Sequence, residues 1–154
     1  MNRTMPRAAF SNSREQELSI LLALARFELE CAGACDLSVM RVKNRPARES
    51  LMELRNDHLR QVDALNALIA QRKGHPLANR PDPSVLDEPL PSPLDAQPVL
   101  QRMLRWEQEG TGAYENALEY AWDLEARAVL HGHIWQQQRH VRLLSCGPLR
   151  EWAA

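Results

Sequence analysis

Two glutamates and two histidines carry the chemistry open to this sequence. Glu28 is followed thirty residues later by His58, and Glu107 thirty-three residues later by His140. Carboxylate and imidazole together are ligands for Zn, Mn or Fe. The same groups can also occupy a core without metal, provided that each carboxylate is paired or protonated, because an uncompensated buried carboxylate costs several kcal/mol. The other candidates are weaker. Cys31 and Cys35 are four apart and share a face if the segment is helical; they read as small buried hydrophobes, with a redox or soft-metal pair as the alternative. His131 and His133 flank Gly132, but side chains at i and i+2 do not converge on a helix, so a shared metal is not expected. The chain has no glycine-rich phosphate loop, no serine-nucleophile elbow and no CxxC pair.

The elements that must position these residues are helices. Ser13 and Gln16 have capping-box spacing and open a first helix that runs to about Val42. A second runs from about Pro46 to Lys73, with proline in the first turn, where its missing N–H costs nothing. Arg72, Lys73, Gly74 and Pro76 read as its stop: cations on the negative end, glycine for the left-handed cap, then proline. Seven of the ten prolines then fall between residues 75 and 98, and no helix survives that density. The third helix starts near Asp95 and runs to about Tyr120; the fourth starts near Asp123 and ends before Gly147 and Pro148. Short, long and short links predict two antiparallel hairpins joined by a crossover over residues 75–95, hence an all-α four-helix bundle. The bundle occupies 13–146, between a flexible N-terminal tail (1–12) and a C-terminal tail (147–154).

At 100° per residue each helix has a calculable core stripe. Glu28 lies at the centre of one formed by Leu21, Leu24, Ala25, Ala32, Cys35 and Val39. His58 is the centre of Leu51, Leu54, Val62, Leu65 and Ile69. Glu107 sits among Leu100, Met103, Leu104, Thr111, Tyr114 and Leu118. Gln137 is the centre of Ala126, Leu130, Ile134, Val141 and Leu144, with His133 and His140 at the edges. Every stripe is therefore polar at its middle. Tyr114 reads either as a hydrogen-bond partner of Glu107 or His58 or as a core tyrosine with its hydroxyl at the rim.

On these residues the chain resembles the ferritin-like superfamily, and within it a family of small uncharacterised bacterial ferritin-like proteins. The segment from Arg105 to Leu118 with Gln137–His140 carries most of the resemblance, and Glu28 with Leu54–Leu65 carries the rest. The resemblance implies a ferritin-like bundle. Members that bind two irons supply a glutamate from the first and third helices and a Glu-x-x-His motif from the second and fourth. It therefore implies Glu28, His58, Glu107 and His140 as the metal residues. Here the motif glutamates are replaced: Arg55 stands three before His58 and Gln137 three before His140. Two carboxylates remain of four. The expectation is a vestigial site in a metal-free core, with Arg55 ion-paired to Glu28 or Glu107 where an ion would sit.

That expectation is a non-catalytic structural or interaction module with no cofactor. The alternative is a metal-binding protein of iron or manganese storage or oxidase type using Glu28, His58, Glu107 and His140. The partners expected are a second copy, in a homodimer with an apolar contact near Leu22, Leu29 or Leu37, and an unspecified protein. Trp106, Trp122, Trp135 and Trp152 lie off the core centres. Among 154 residues, 19 basic against 20 acidic side chains argue against nucleic acid. The longest uncharged apolar run, Leu18–Ala25, is far short of the ~20 residues of a membrane span. Three cysteines and the lack of a signal-peptide pattern fit a cytoplasmic protein.

Overall fold

The computed structural model describes residues 13–81 and 96–153. Among them there is no strand. The helices are α1 (Arg14–Arg41), α2 (Arg45–Gln71), α3 (Ala96–Leu118), α4 (Leu124–Ser145) and a short α5 (Pro148–Ala153). The expected tail 1–12 and residues 82–95 of the expected crossover lie outside the described residues.

Local chemistry sets the helix ends. At α1 the Gln16 N–H donates to Ser13 Oγ at 3.1 Å, and the Gln16 side chain accepts from the Ser13 N–H at 2.9 Å, closing the capping box. Asn44 caps α2 by accepting from the Ala47 N–H, and Asp123 caps α4 by accepting from the Ala126 N–H at 2.8 Å. The end of α2 corrects one expectation. Lys73, not Gly74, takes the left-handed conformation, with φ of 58°. The Lys73 N–H reaches Ala70 O and the Gly74 N–H reaches Ile69 O, both at 2.9 Å, which is Schellman pairing. Gly74 is needed for closeness instead: a Cβ there would lie 2.5 Å from Leu18 Cδ2 and 2.9 Å from Ile69 Cγ2.

α1 packs chiefly on α2 and α3 on α4, and the hairpins meet through α1 with α3 and α2 with α4. Two apolar clusters fill the ends of the bundle. The first joins Leu21 and Leu24 of α1, Leu65, Leu68 and Ile69 of α2, Ala117 of α3 and Leu130 of α4. The second joins Cys35, Leu51, Leu54, Leu100, Met103 and Leu144 with Leu149 of α5. The C-terminal halves of α2 and α3 thus share one end, so these helices run parallel and their connection must span the bundle. The start of that connection turns back along α2: Asn66 brackets Leu77 through both its N–H and its carbonyl, and Asn79 donates to Leu59 O. No described helix is long and apolar enough to cross a membrane.

Three expectations about the periphery need correction. Trp122 is a core residue: its Nε1–H donates to Ala117 O at 2.6 Å, and the Arg72 guanidinium lies 5.5 Å from its ring centre. Arg72 also pairs with Glu17 and Asp123, drawing three helix ends together. Leu29 is buried within the chain itself, so the leucine row expected at a dimer contact is partly covered. Finally, residues 148–153 are not a loose tail. Pro148 suits the first turn of α5, and Leu149 is fully buried in the second cluster. Leu149→Ala is expected to lower stability by about 3 kcal/mol, as for other buried leucines, measured by urea denaturation; a tail in solvent would give almost no change.

Candidate metal centre

Between the apolar ends lies a polar layer built from all four long helices. Glu28 comes from α1, Asp57, His58 and Gln61 from α2, Glu107 and Tyr114 from α3, and His133, Gln137 and His140 from α4; all are buried. Helical spacing places one polar residue at the middle of each stripe, and the antiparallel hairpins bring the four middles to one level.

The layer is organised as a row of alternating acids and imidazoles. His58 Nδ1 lies 2.6 Å from Glu28 Oε2, and His58 Nε2 lies 3.0 Å from Glu107 Oε1. The other oxygen of Glu107 lies 3.1 Å from His140 Nδ1, and His140 Nε2 lies 3.2 Å from Asp57 Oδ2. The imidazole rings meet edge to face, 4.8 Å between centres. At the inner end Glu28 Oε1 accepts from the Tyr114 hydroxyl at 2.5 Å and from Gln137 Nε2 at 3.1 Å. Because the Tyr114 hydroxyl spends its proton on Glu28, it accepts from His133 Nδ1–H at 3.0 Å. At the outer end Arg139 donates to Asp57 at 2.8 Å, and Arg60 pairs with it too.

The row fixes proton positions. Burial alone would push the His58 pKa down, but the Glu107 charge, reinforced by hydrogen bonds to Glu107 and Glu28, raises it to about 10. Burial alone would raise Glu107, yet the charge on His58 and the hydrogen bonds from both imidazoles bring it down to about 2. His140 is raised against its own burial, first by its bond to Asp57 and then by Glu107. Asp57 is lowered, its burial outweighed by its bonds to His140 and Arg60. His133 is held down by burial. In the metal-free protein both shifts favour the imidazolium form, in which His58 and His140 donate from both nitrogens.

The structure brings Glu28, His58, Glu107, His140, Gln137 and Tyr114 together, and Tyr114 bonds Glu28 rather than Glu107 or His58. It does not bring Arg55 with them. Arg55 is only partly buried and pairs with Asp36 of α1 on the flank of the bundle. Its long stem lets the guanidinium leave the core stripe for solvent, so no guanidinium stands where an ion would sit. Asp57 was the residue missed by sequence reasoning. It lies 100° from the centre of its own stripe, and only the approach of α4 on that flank buries it. The adjacent Asp57-His58 pair was the available signal. Of the two clustered histidines, His131 is exposed and His133 buried, and they share no partner. Cys31 and Cys35 are buried free thiols, pushed up chiefly by burial.

Comparison with protein-family models, curated proteins and solved structures finds no match to this chain. The chemistry of the site therefore rests on its geometry. His58, Glu107 and His140 each offer a ligand atom, all within 4.8 Å of one another.

Two measurements check this electrostatic account. Stability that depends on His58, raised from 6.5 to about 10, is complete below pH 6.5 and lost as pH rises through 10; His140 acts in the same sense. Stability that depends on Glu107, lowered from 4.5 to about 2, is complete above pH 4.5 and lost as pH falls through 2, and His133 adds a loss below 6.5. Urea midpoints of metal-free protein are expected to peak near pH 6.5 and fall on both sides. Separately, Arg55→Ala is expected to cost under ~1 kcal/mol, as a partly exposed pair, whereas Asp57→Ala strips a buried imidazolium of its partner and is expected to cost about 3 kcal/mol. Equal losses in the two variants would contradict this placement.

Proposed function

We propose that this chain is a ferritin-like bundle whose two-metal centre has been reduced to a site for one divalent transition ion, iron, manganese or zinc. The carrying observation is the aim of the two imidazoles. His58 Nε2 and His140 Nδ1 both face Glu107, while the opposite nitrogens are held by Glu28 and Asp57. Outer carboxylates that orient histidines in this way are the usual support of metal-bound imidazole. Two histidines and one carboxylate with open positions form a ligand set suited to such ions. The separations of 3.0 and 3.1 Å run to different oxygens of Glu107, and one ligand atom from each residue lies within 4.8 Å of the others, so the three side chains must draw together to reach bonds of about 2.0–2.2 Å.

A second ion does not fit these residues. Glu28 has both oxygens engaged, by Tyr114, Gln137 and His58. Gln137 is neutral and Arg55 lies outside the layer. One ion, by contrast, preserves the charge of the layer, because it replaces the two imidazolium protons that face Glu107. Bound at Glu107, it would supply Lewis acidity and, for iron or manganese, redox capacity; the chain's own contribution is to orient the ligands and exclude bulk water. The competing reading is a metal-free module, favoured by the raised pKa values of His58 and His140, whose protons would balance the carboxylates.

Metal content decides between them. Protein purified without chelator, then titrated with Zn(II), Mn(II) or anaerobic Fe(II), is expected to bind about one ion per chain, with a raised melting temperature by linkage. Glu107→Ala and His140→Ala are expected to abolish the rise. Two displaced protons make the apparent affinity climb up to about a hundredfold per pH unit below the imidazolium pKa values. Two ions per chain would restore the di-metal reading, and none would establish the metal-free one.

A further inference from the structure

Between α2 and α4 lies a groove of about 360 Å³ whose walls include Asp57, Gln61 and Ala64 of α2 and Gly132, His133 and Trp135 of α4. Small-molecule sites run from roughly 300 to 1,000 Å³. The charge at its floor is already satisfied, since Asp57 is bonded to His140, Arg60 and Arg139. What is left unmet is neutral. Gln61 is 3% exposed, and neither the nitrogen nor the oxygen of its carboxamide has a partner. Oε1 of Gln136, which also lines the groove, is covered and unpartnered as well. Such groups are costly to leave unmet, and their cover keeps bulk water from meeting them. Trp135 adds a flat indole wall, 57% exposed. A Cβ on Gly132 would meet nothing within 4 Å. Crowding therefore does not require a glycine there, although glycine weakens a helix interior; its effect is to leave that wall bare.

We propose that this groove binds a small neutral planar molecule that presents an N–H donor beside a carbonyl acceptor, as a lactam or carboxamide does, with Gln61 pairing that edge and Trp135 covering its face. A carboxamide offers one donor and one acceptor side by side, and its complement is a second such edge, the logic by which glutamine pairs two positions of adenine. An ion entering the groove would be desolvated among charges that are already paired. A wholly apolar molecule would leave the amides as they are. The Gln61 amide atoms are covered as they stand, so binding on this proposal requires the side chain to turn about its torsions to meet the ligand edge. The groove also touches both ends of the buried row, through Asp57 to His140 and through His133 to Tyr114.

The probe is 2-pyridone, and N-methyl-2-pyridone is its twin without the donor. Each is titrated into the full chain, stripped of metal, and followed by 1H–15N NMR. 2-Pyridone is expected to shift the Gln61 side-chain NH2 and the Gly132 amide saturably, and the N-methyl twin to bind at least tenfold more weakly. Gln61→Leu is expected to lose at least tenfold in affinity. Gly132→Leu, whose Cβ would meet nothing within 4 Å, is expected to cover the groove and abolish the shifts while melting no lower than the parent. Absence of saturable shifts at the groove, equal affinity for the twins, or binding that survives Gly132→Leu overturns the proposal. If Gln61→Leu does not fold, the twins and Gly132→Leu decide alone. The protein is metal-free throughout, so this outcome is independent of the one-ion reading.

Discussion

A buried carboxyl group must meet a partner from another helix, and the rest of this bundle is arranged around that requirement. Glu28, His58, Glu107, His140 and Asp57 form one row through all four long helices, and each bond in it is directional. Apolar contacts at the two ends of the bundle are non-directional and would tolerate a slide of one helix along another. The row would not, because a slide of one residue separates a carboxylate from its imidazole in a medium where an unpaired charge is very costly. The clusters at the ends supply most of the burial, and the layer between them supplies the register.

The two ends of the row are closed in different ways. Toward the interior, Glu28 is met by neutral donors, Tyr114 and Gln137, with His133 behind Tyr114. Toward the surface, Asp57 is met by Arg60 and Arg139, whose guanidinium groups reach water. Beyond the imidazoles, the guanidinium donors are thus used where solvent offsets their desolvation, and neutral donors where it does not. This asymmetry leaves Glu107 as the carboxylate flanked by two imidazoles and by nothing else in the row. On the proposed reading, that position accepts either two protons or one divalent ion at the same net charge, so the fold is compatible with both states.

Much of this arrangement was legible in the residue order. The 100° periodicity put Glu28, His58, Glu107 and Gln137 at stripe centres, and the capping box at Ser13, the stop signals from Arg72 to Pro76 and the proline density after residue 75 placed the elements. Other features were not legible, for reasons of geometry. Arg55 occupies the position of a motif glutamate, but its flexible stem carries the charge out to Asp36. Asp57 and Gln61 lie off the stripe of α2 and are buried only by α4. Leu149 follows a helix stop and reads as tail until its side chain is seen in the second cluster.

Residue order was enough to place the four long helices, their approximate ends and the polar group each presents inward, because capping, proline placement and hydrophobic period act within a few residues along the chain. Which acid meets which imidazole, which nitrogen of each ring faces Glu107 and the closing of the row by Asp57 depend on how the helices pack. Those are contacts between helices, set by packing distance and side-chain reach, and bonds such as His140 to Asp57 join residues 83 positions apart.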